Sequence, residues 1–223
     1  MMPWIVGTKR LSSKQKGSMP RNGLQEHVFC LKTNISDFLH TSGHLFVGFV
    51  DIRDAFGSID HAFMLHELET AKYPDAFLRL TKDIYTDSTF QVKTSNGITA
   101  PITRGKGIIQ GCPWSVIVFE QGIDKWLRWI EKPYAETHIP NPTQGYVDDV
   151  STAAKTEPEF VTMADKTTRF LNYAGMEAKP RKCAASSARR SGNNWKQVEP
   201  VNIEIQNNPI LYLYMTSMIA IPI

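Results

Sequence analysis

Gly145-Tyr146-Val147-Asp148-Asp149-Val150 places two adjacent carboxylates inside an apolar, β-prone run. An ionised carboxylate in low-dielectric surroundings costs several kcal/mol of desolvation even after relaxation, so such a pair needs a surface turn, a cationic partner or a bound divalent metal. Read alone, the segment fits a solvated hairpin tip as well as it fits a site, because Asp is a common turn residue. The pattern predicts a β-hairpin over about residues 143 to 154 with the acids at its bend. A third acid lies far upstream. Leu45-Phe46-Val47-Gly48-Phe49-Val50-Asp51 is apolar on both faces and rich in β-formers, which reads as a buried central strand ending in a carboxylate.

Outward from these two strands, the apolar residues of Leu24 to His40 recur at helical spacing, predicting a helix that stops near Thr41-Ser42-Gly43. Asp60 is placed to cap a helix running to about Ala71, and Pro74-Asp75 opens another through about Tyr85, with Pro at the first helical position. Thr89 to Thr94 and Ile98 to Ile102 read as a hairpin around Asn96-Gly97, a type I′ turn signal. Arg104 to Pro113 is a Gly-rich basic loop, and Pro113 starts a helix through about Ile130 whose Ile117, Phe119, Ile123, Trp126, Leu127 and Ile130 give a broad apolar face. Glu157 to Ala174 reads as a helix stopped by Gly175 at C′. Lys179 to Arg190 reads as a basic loop, followed by a strand-prone tail over Val201 to Ile205 and Leu211 to Ile223.

With 42% hydrophobic and 21% charged residues over 223 positions, the chain has the composition of a globular protein with a substantial core. Its net charge of +3 is unevenly spread: residues 1–32 and 179–199 each hold six Lys/Arg against one acid, while the middle is acidic. An acidic centre between basic flanks suits a protein that brings a divalent metal and a polyanion together; the competing reading is solvated surface. Cys30, Cys112 and Cys183 form no CxxC pair, which argues against a disulfide framework or zinc site and for a reducing, intracellular compartment, cytoplasm or nucleus. No apolar run predicts a membrane span or a secretion signal.

Carboxylates at adjacent strand ends can hold two Mg²⁺ ions about 3.5–4 Å apart, the arrangement that stabilises attacking and leaving oxygens in phosphoryl transfer. Four motifs in order, Phe49 to His61, Gln110-Gly111-Cys112-Pro113-Trp114-Ser115, Tyr146-Val147-Asp148-Asp149 and Gly175 to Cys183, resemble those of the reverse transcriptase domain of non-LTR (LINE-type) retrotransposons. The resemblance runs from about Gln15-Lys16-Gly17 to the C-terminus. It implies an α+β fold, a polymerase palm with a small antiparallel sheet backed by helices and a partial fingers segment, with no thumb following. The expected organisation is a basic N-terminal segment (1–23, a remnant of fingers), the palm with partial fingers (24–183), and a basic loop with strand-prone tail (184–223).

By the same resemblance, Asp51, Asp148 and Asp149 would ligate two Mg²⁺ ions, with Mn²⁺ as the alternative. Backbone amides near Asp54, Ala55 and Phe56 would meet the triphosphate, and the Phe56 ring would act as a steric gate against the ribose 2′-hydroxyl. Gln110 and Gly111 would line the nucleotide pocket and template strand, and Lys182 matches the lysine proposed to protonate pyrophosphate. The implied activity is RNA-directed DNA synthesis, with RNA template, DNA primer and deoxynucleotide triphosphates as partners. The sequence departs from the family pattern at Ile109, Trp114, Val116, Lys179 and Ala220, and shows no Arg-Pro-Ile fingers motif. Weak, salt-sensitive nucleic-acid binding and poor turnover are therefore expected of this chain. Two readings compete: a catalytically silent palm relic that binds nucleic acid or a partner, and an RNA-dependent RNA polymerase. The first would be expected to have lost one of the three acids, and the second to carry a smaller or polar residue at Phe56.

Overall fold

The computed structural model describes residues 5, 7–18, 22–41, 43–131, 143–191, 194–197, 203–209, 211 and 212. Strand β1 (His44–Val50) is central, as its apolar run requires. On one side it pairs antiparallel with β3 (Asp149–Ala154), which turns back on β2 (Thr143–Tyr146). On the other side it pairs antiparallel with β4 (Ala184–Ser191), which continues into β5 (Asn194–Gln197). The order across the sheet is β5-β4-β1-β3-β2, and Leu211–Tyr212 adds in parallel to β4.

Both faces of this sheet are covered, which is why β1 shows no polar alternation. Leu45 and Val47 pack with Phe38 of helix α1 (Gly23–Thr41), alongside Ala153 and Ala188. Phe46 and Val50 join the larger core, to which helices α4 (Pro113–Glu131) and α5 (Glu157–Tyr173) contribute Phe119, Ile123, Trp126, Phe160, Phe170 and Leu171. Trp126 stacks on Phe170 with ring centroids 5.2 Å apart. Gly48 is where α5 comes nearest: a Cβ there would lie 3.0 Å from the Phe160 ring and 2.9 Å from Thr152 Oγ1.

The helices begin where local chemistry starts them. Asp60 Oδ1 accepts from the amides of Ala62 and Phe63 to cap α2 (His61–Thr70). Thr156 and Glu159 form a reciprocal capping box at α5, which ends at Ala174 with Gly175 in the left-handed conformation (φ 68°). Helix α3 (Asp75–Tyr85) starts one residue later than expected, with Pro74 as its N-cap rather than its first helical residue. Trp114 has a packing reason: its ring stacks on Phe77 of α3 at 4.2 Å and its Nε1 donates to Thr81 Oγ1.

Two expectations are corrected. The basic loop foreseen over Lys179 to Arg190 is strand from Ala184 onward, because small Ala and Ser side chains with little strand propensity of their own are stabilised by pairing with β1. The boundary at residue 183 therefore runs through one sheet. The hairpin over 89–103 forms as two short pairs, Thr89–Phe90 with Ile102–Thr103 and Lys93–Thr94 with Gly97–Ile98, and its closing turn is Ser95-Asn96. Only Gly97 there has positive φ, so this is not the type I′ turn anticipated on Asn96-Gly97. The basic N-terminal segment packs into the fold, with Ile5, Leu11, Gln15 and Lys16 buried. In the strand-prone tail, Glu204–Ile205 pairs with Asn208–Pro209, and residues 213–223 lie outside the described residues. Among the described residues no helix is long and apolar enough to cross a membrane.

One core residue is out of keeping with its surroundings. Glu120 on α4 is fully buried, and neither carboxylate oxygen has a hydrogen-bond partner. Burial pushes its pKa up to about 8, only partly offset by the nearby Ser18 hydroxyl, so the side chain is mostly protonated at pH 7. A carboxyl whose folded-state pKa is raised costs stability as pH climbs from its ordinary value of 4.5 to the folded-state value of about 8, by up to roughly 1.4 kcal/mol per pH unit, and the penalty then stays constant above it. Glu120→Gln is expected to remove this downward contribution to melting temperature between about pH 5 and pH 8, and to leave the slope above pH 8 unchanged. Equal slopes for the two proteins over that lower range would show that Glu120 is already ionised or wet.

Candidate active site

The antiparallel register sets the site. Val50 pairs with Val150, so Asp51 and Asp149 sit at adjacent strand ends one step beyond the last pair, with Asp148 in the turn that joins β2 to β3. Asp51, Asp149, His27, Phe49, Ser151 and Lys182 line a common cleft. Lys182 Nζ lies 3.7 Å from Asp51 Oδ2, an exposed ammonium beside a half-buried carboxylate, and solvent on the lysine side keeps the pair's contribution to stability small. Burial raises the pKa of Asp148, and the neighbouring Asp149 and Asp51 charges raise it further against the opposing pull of Lys182 and a backbone hydrogen bond. Asp149 is shifted the same way, by burial first and Asp51 second, with Lys182 opposing. The three acids therefore repel one another across the cleft, a local arrangement that a cation would relieve. Among the described residues no three His, Cys, Asp or Glu side chains stand close enough to enclose a metal ion by themselves.

The bend that carries Asp148 is backbone-strained. Tyr146 pairs with Asp149, and Val147, the first central residue, has φ 58° while Asp148 does not have positive φ, the sign pattern of a type II′ turn. Positive φ is an outlier for a β-branched residue and costs of order 1–3 kcal/mol unless the surroundings enforce it. Here the N-terminal segment enforces it. Gln15 bridges in parallel to Gly145, its Oε1 accepts from the Val147 amide at 3.0 Å, and its Nε2 donates to the Val147 carbonyl at 3.3 Å.

On the other side of the cleft, Asp54 adopts the left-handed conformation (φ 42°) and starts a single helical turn, Ala55–Ser58. Ala55 is buried. The amides of Ala55 and Phe56 open that turn, before any residue that could accept from them within it. The Phe56 ring is half-buried and stacks on Phe119 of α4, with centroids 4.6 Å apart and planes 16° from parallel. Gln110 and Gly111 (φ 82°) sit in the exposed loop ahead of α4, and Gln110 Nε2 reaches Asp54 Oδ1 at 3.5 Å. The loop is tied to the Phe56 turn through backbone bonds from Gly107 to Ile59 and from Ile108 to Phe56. His61 Nε2 lies 2.6 Å from the Gly107 carbonyl, which can only accept, so that nitrogen carries the proton.

The structure thus brings Asp51, Asp149 and Lys182 to one cleft, with Asp148 in the adjoining turn within electrostatic reach of all three, and joins Asp54 and Gln110 across the neighbouring loop. Sequence reading assigned no role to Gln15, although Gln15-Lys16-Gly17 begins the resemblance; its contact with Val147 spans 132 residues and leaves no local signal. His61, Tyr85 and Ser115 were likewise unassigned. They brace the loop from below, the His61 and Tyr85 rings 5.5 Å apart and Tyr85 Oη 2.6 Å from Ser115 Oγ.

Comparison with known proteins agrees with this geometry. The sequence profile described as "Reverse transcriptase (RNA-dependent DNA polymerase)" matches residues 4–216, across all three expected segments. The chain is 25% identical over 146 residues to the uncharacterized 149 kDa protein of transposon TX1 from Xenopus laevis, covering 63% of this chain and 11% of that protein. It is 23% identical over 190 residues to the Pol polyprotein of the type-2 retrotransposable element R2DM from Drosophila melanogaster, covering 80% and 18%. The chain thus spans less than a fifth of either relative. Among solved structures, telomerase from Candida tropicalis in complex with a fragment of telomeric RNA superposes with TM-score 0.67 at 14% identity, covering 83% of this chain and 32% of that one. The apo enzyme truncated of its C-terminal domain gives TM-score 0.65 at 13% identity, covering 86% and 40%. By the profile match and by its palm-like fold, the chain belongs to the reverse transcriptase family.

Proposed function

We propose that this chain is the catalytic palm of an RNA-directed DNA polymerase, adding deoxynucleotides to a primer 3′-end on an RNA template. The observation that carries the reading is the β1–β3 register, which delivers Asp51 and Asp149 to one cleft, with Asp148 beside them in the turn that joins β2 to β3. The carboxylates fit Mg²⁺: the Asp51 charge raises the proton affinity of Asp148 and Asp149, and the open arrangement suits an ion that keeps waters and binds through a few carboxylates plus substrate phosphates. When bound, two such ions would lower the pKa of the primer hydroxyl and neutralise charge on the triphosphate. Mn²⁺ would serve in their place.

The remaining steps belong to the chain's own residues. Asp51, Asp148 and Asp149 hold negative charge where the cations are needed. The amides of Ala55 and Phe56, next to Asp54, donate to phosphate oxygens, and Lys182, already beside Asp51, supplies a proton to departing pyrophosphate. Gln110 and Gly111 bound the nucleotide and template side. Phe56, fixed by its stack on Phe119, meets C2′ of the sugar and rejects a 2′-hydroxyl by contact.

The test is extension of a DNA primer on an RNA template by the purified chain with Mg²⁺, with deoxy- and ribonucleotides in parallel. Slow deoxynucleotide addition is expected, with ribonucleotides strongly disfavoured. Phe56→Ala should reduce that discrimination by at least about tenfold, the scale of one well-packed steric contact. Unchanged sugar selectivity would remove the gate. Primed-template binding without any extension, with either metal, would instead make the chain a silent palm.

A further inference from the structure

The N-terminal segment, basic and loop-like in sequence, is built into the strained bend of the acidic hairpin. Gln15 is fully buried, and its side-chain amide is engaged at both ends: Oε1 accepts from the Val147 and Gly17 amides, and Nε2 donates to the Val147 carbonyl. The segment is bound on both sides of that contact, by Lys16 N–H to the Gly145 carbonyl at 2.8 Å and by Gly145 N–H to the Lys14 carbonyl at 3.1 Å. Gly17 leaves room for Val147, since a Cβ on it would lie 2.5 Å from Val147 Cγ2 and 2.6 Å from its nitrogen. Lys16 is itself buried and paired with Glu26 of α1, and a Cβ on Gly23 would strike the Lys16 carbonyl. Next to Glu26, the His27 ring meets the edge of Tyr146 at 6.1 Å.

Taken together, a rigid platform of residues 14–17 and the start of α1 grips both the N–H and the C=O of one residue, and that residue is the one whose backbone is out of place. Val147 left to itself would relax to negative φ and rotate the peptide that precedes Asp148. We infer that Gln15 is a positioning residue: by holding Val147 in the left-handed region it keeps Asp148 and Asp149 aimed at Asp51. The inference rests on the polymerase reading of those acids. Their ability to bind a cation together then depends on the fraction of molecules with the bend intact, and apparent affinity falls in proportion to that fraction.

The measurement is Mn²⁺ affinity, by electron paramagnetic resonance, of the full 223-residue chain and of Gln15→Ala, Val147→Gly and the double variant, with circular dichroism to establish folding. Gln15→Ala should weaken Mn²⁺ binding by roughly tenfold, the factor that strain of this order gives once unopposed. Glycine takes positive φ without penalty, so Val147→Gly placed on Gln15→Ala should restore affinity to within about twofold of the unaltered chain. A merely structural loss would not be repaired by removing a side chain. Full affinity in folded Gln15→Ala, or no recovery in the double variant, overturns the inference. Should Gln15→Ala not fold, hydrogen exchange in the unaltered chain decides: the Val147 amide must be protected, and free exchange there overturns the clamp. Failure of the unaltered chain to bind Mn²⁺ at all would count against the polymerase reading, while the exchange result would still report on the clamp.

Discussion

Asp148→Asn is expected to lower primer extension by about three orders of magnitude while raising the melting temperature of the metal-free protein at pH 7. The two effects share one cause. Asp148 is half-buried, its ionised form is penalised by burial, and Asp149 and Asp51 add like charge that Lys182 offsets only in part. A carboxyl whose pKa is raised in the folded state carries no penalty below the ordinary carboxylate range, where it is protonated folded and unfolded alike. The penalty appears as pH rises through that range and persists above the folded-state pKa. Asparagine removes it, so the gain should be present at pH 7 and vanish near pH 4. A gain of about 1 kcal/mol would move the midpoint by roughly 2–4 °C in a domain of this size. The activity loss follows because metal-assisted phosphoryl transfer draws several kcal/mol from charge placed at the reacting oxygens, and about 4 kcal/mol is a factor of 10³ in rate. Thermal melts at pH 4 and 7 beside extension assays separate the outcomes. Retained activity would deny Asp148 a role in the chemistry, and joint loss of activity and stability would make it structural.

The acids were legible as candidates because their chemistry leaves a mark on sequence: a carboxylate ending an apolar strand, or two adjacent ones in a β-prone run, call for a surface turn, a cationic partner or a metal, and only the three together favoured the last. Phe56, Gln110 and Lys182 were legible only through the order of motifs, since a lone Phe, Gln or Lys has an ordinary structural reading. What remained hidden is what acts across the chain. Ala184-Ala185-Ser186-Ser187-Ala188 forms a strand because β1 needs a partner, and no periodicity within the segment announces it. Gln15 looked like one polar residue in a polar loop, and the residue it holds is 132 positions away. The turn at 95–97 failed for a different reason. Asn-Gly favours type I′ only where those two residues are the central pair, and pairing of Thr94 with Gly97 shifts the centre by one.

The other large effect lies beside the proposed nucleotide side of the site, at Gly107. Its φ is 79°, and a Cβ there would lie 2.3 Å from the Gly57 carbonyl oxygen and within 2.8 Å of two further Gly57 backbone atoms. Neither backbone can readily give way. Gly107 donates its N–H to Ile59 at 2.8 Å and accepts from His61, while the next amide, of Ile108, donates to Phe56 at 2.6 Å. Gly57 in turn lies against the Asp54 carboxylate, where a Cβ would come 2.1 Å from Oδ2. Two glycines thus interlock the loop carrying Gln110 with the turn carrying Phe56. Alanine at 107 adds a left-handed penalty of about 1–2 kcal/mol and a backbone overlap of about 1–3 kcal/mol. A fall of roughly 5–15 °C in melting temperature is expected at the usual 2–4 °C per kcal/mol. Because the strain is relieved most easily by lifting the Phe56 turn off Phe119, the KM for deoxynucleotide should rise and sugar discrimination should drop in Gly107→Ala. Gly105→Ala is the control two residues away, with open space around its Cβ and no positive φ, and should melt within about 0.5 kcal/mol of the unaltered chain. Gly107→Ala that melts with the control and keeps full selectivity would mean the loop and the Phe56 turn move independently, and the gate would then have to be set by the Phe119 stack alone.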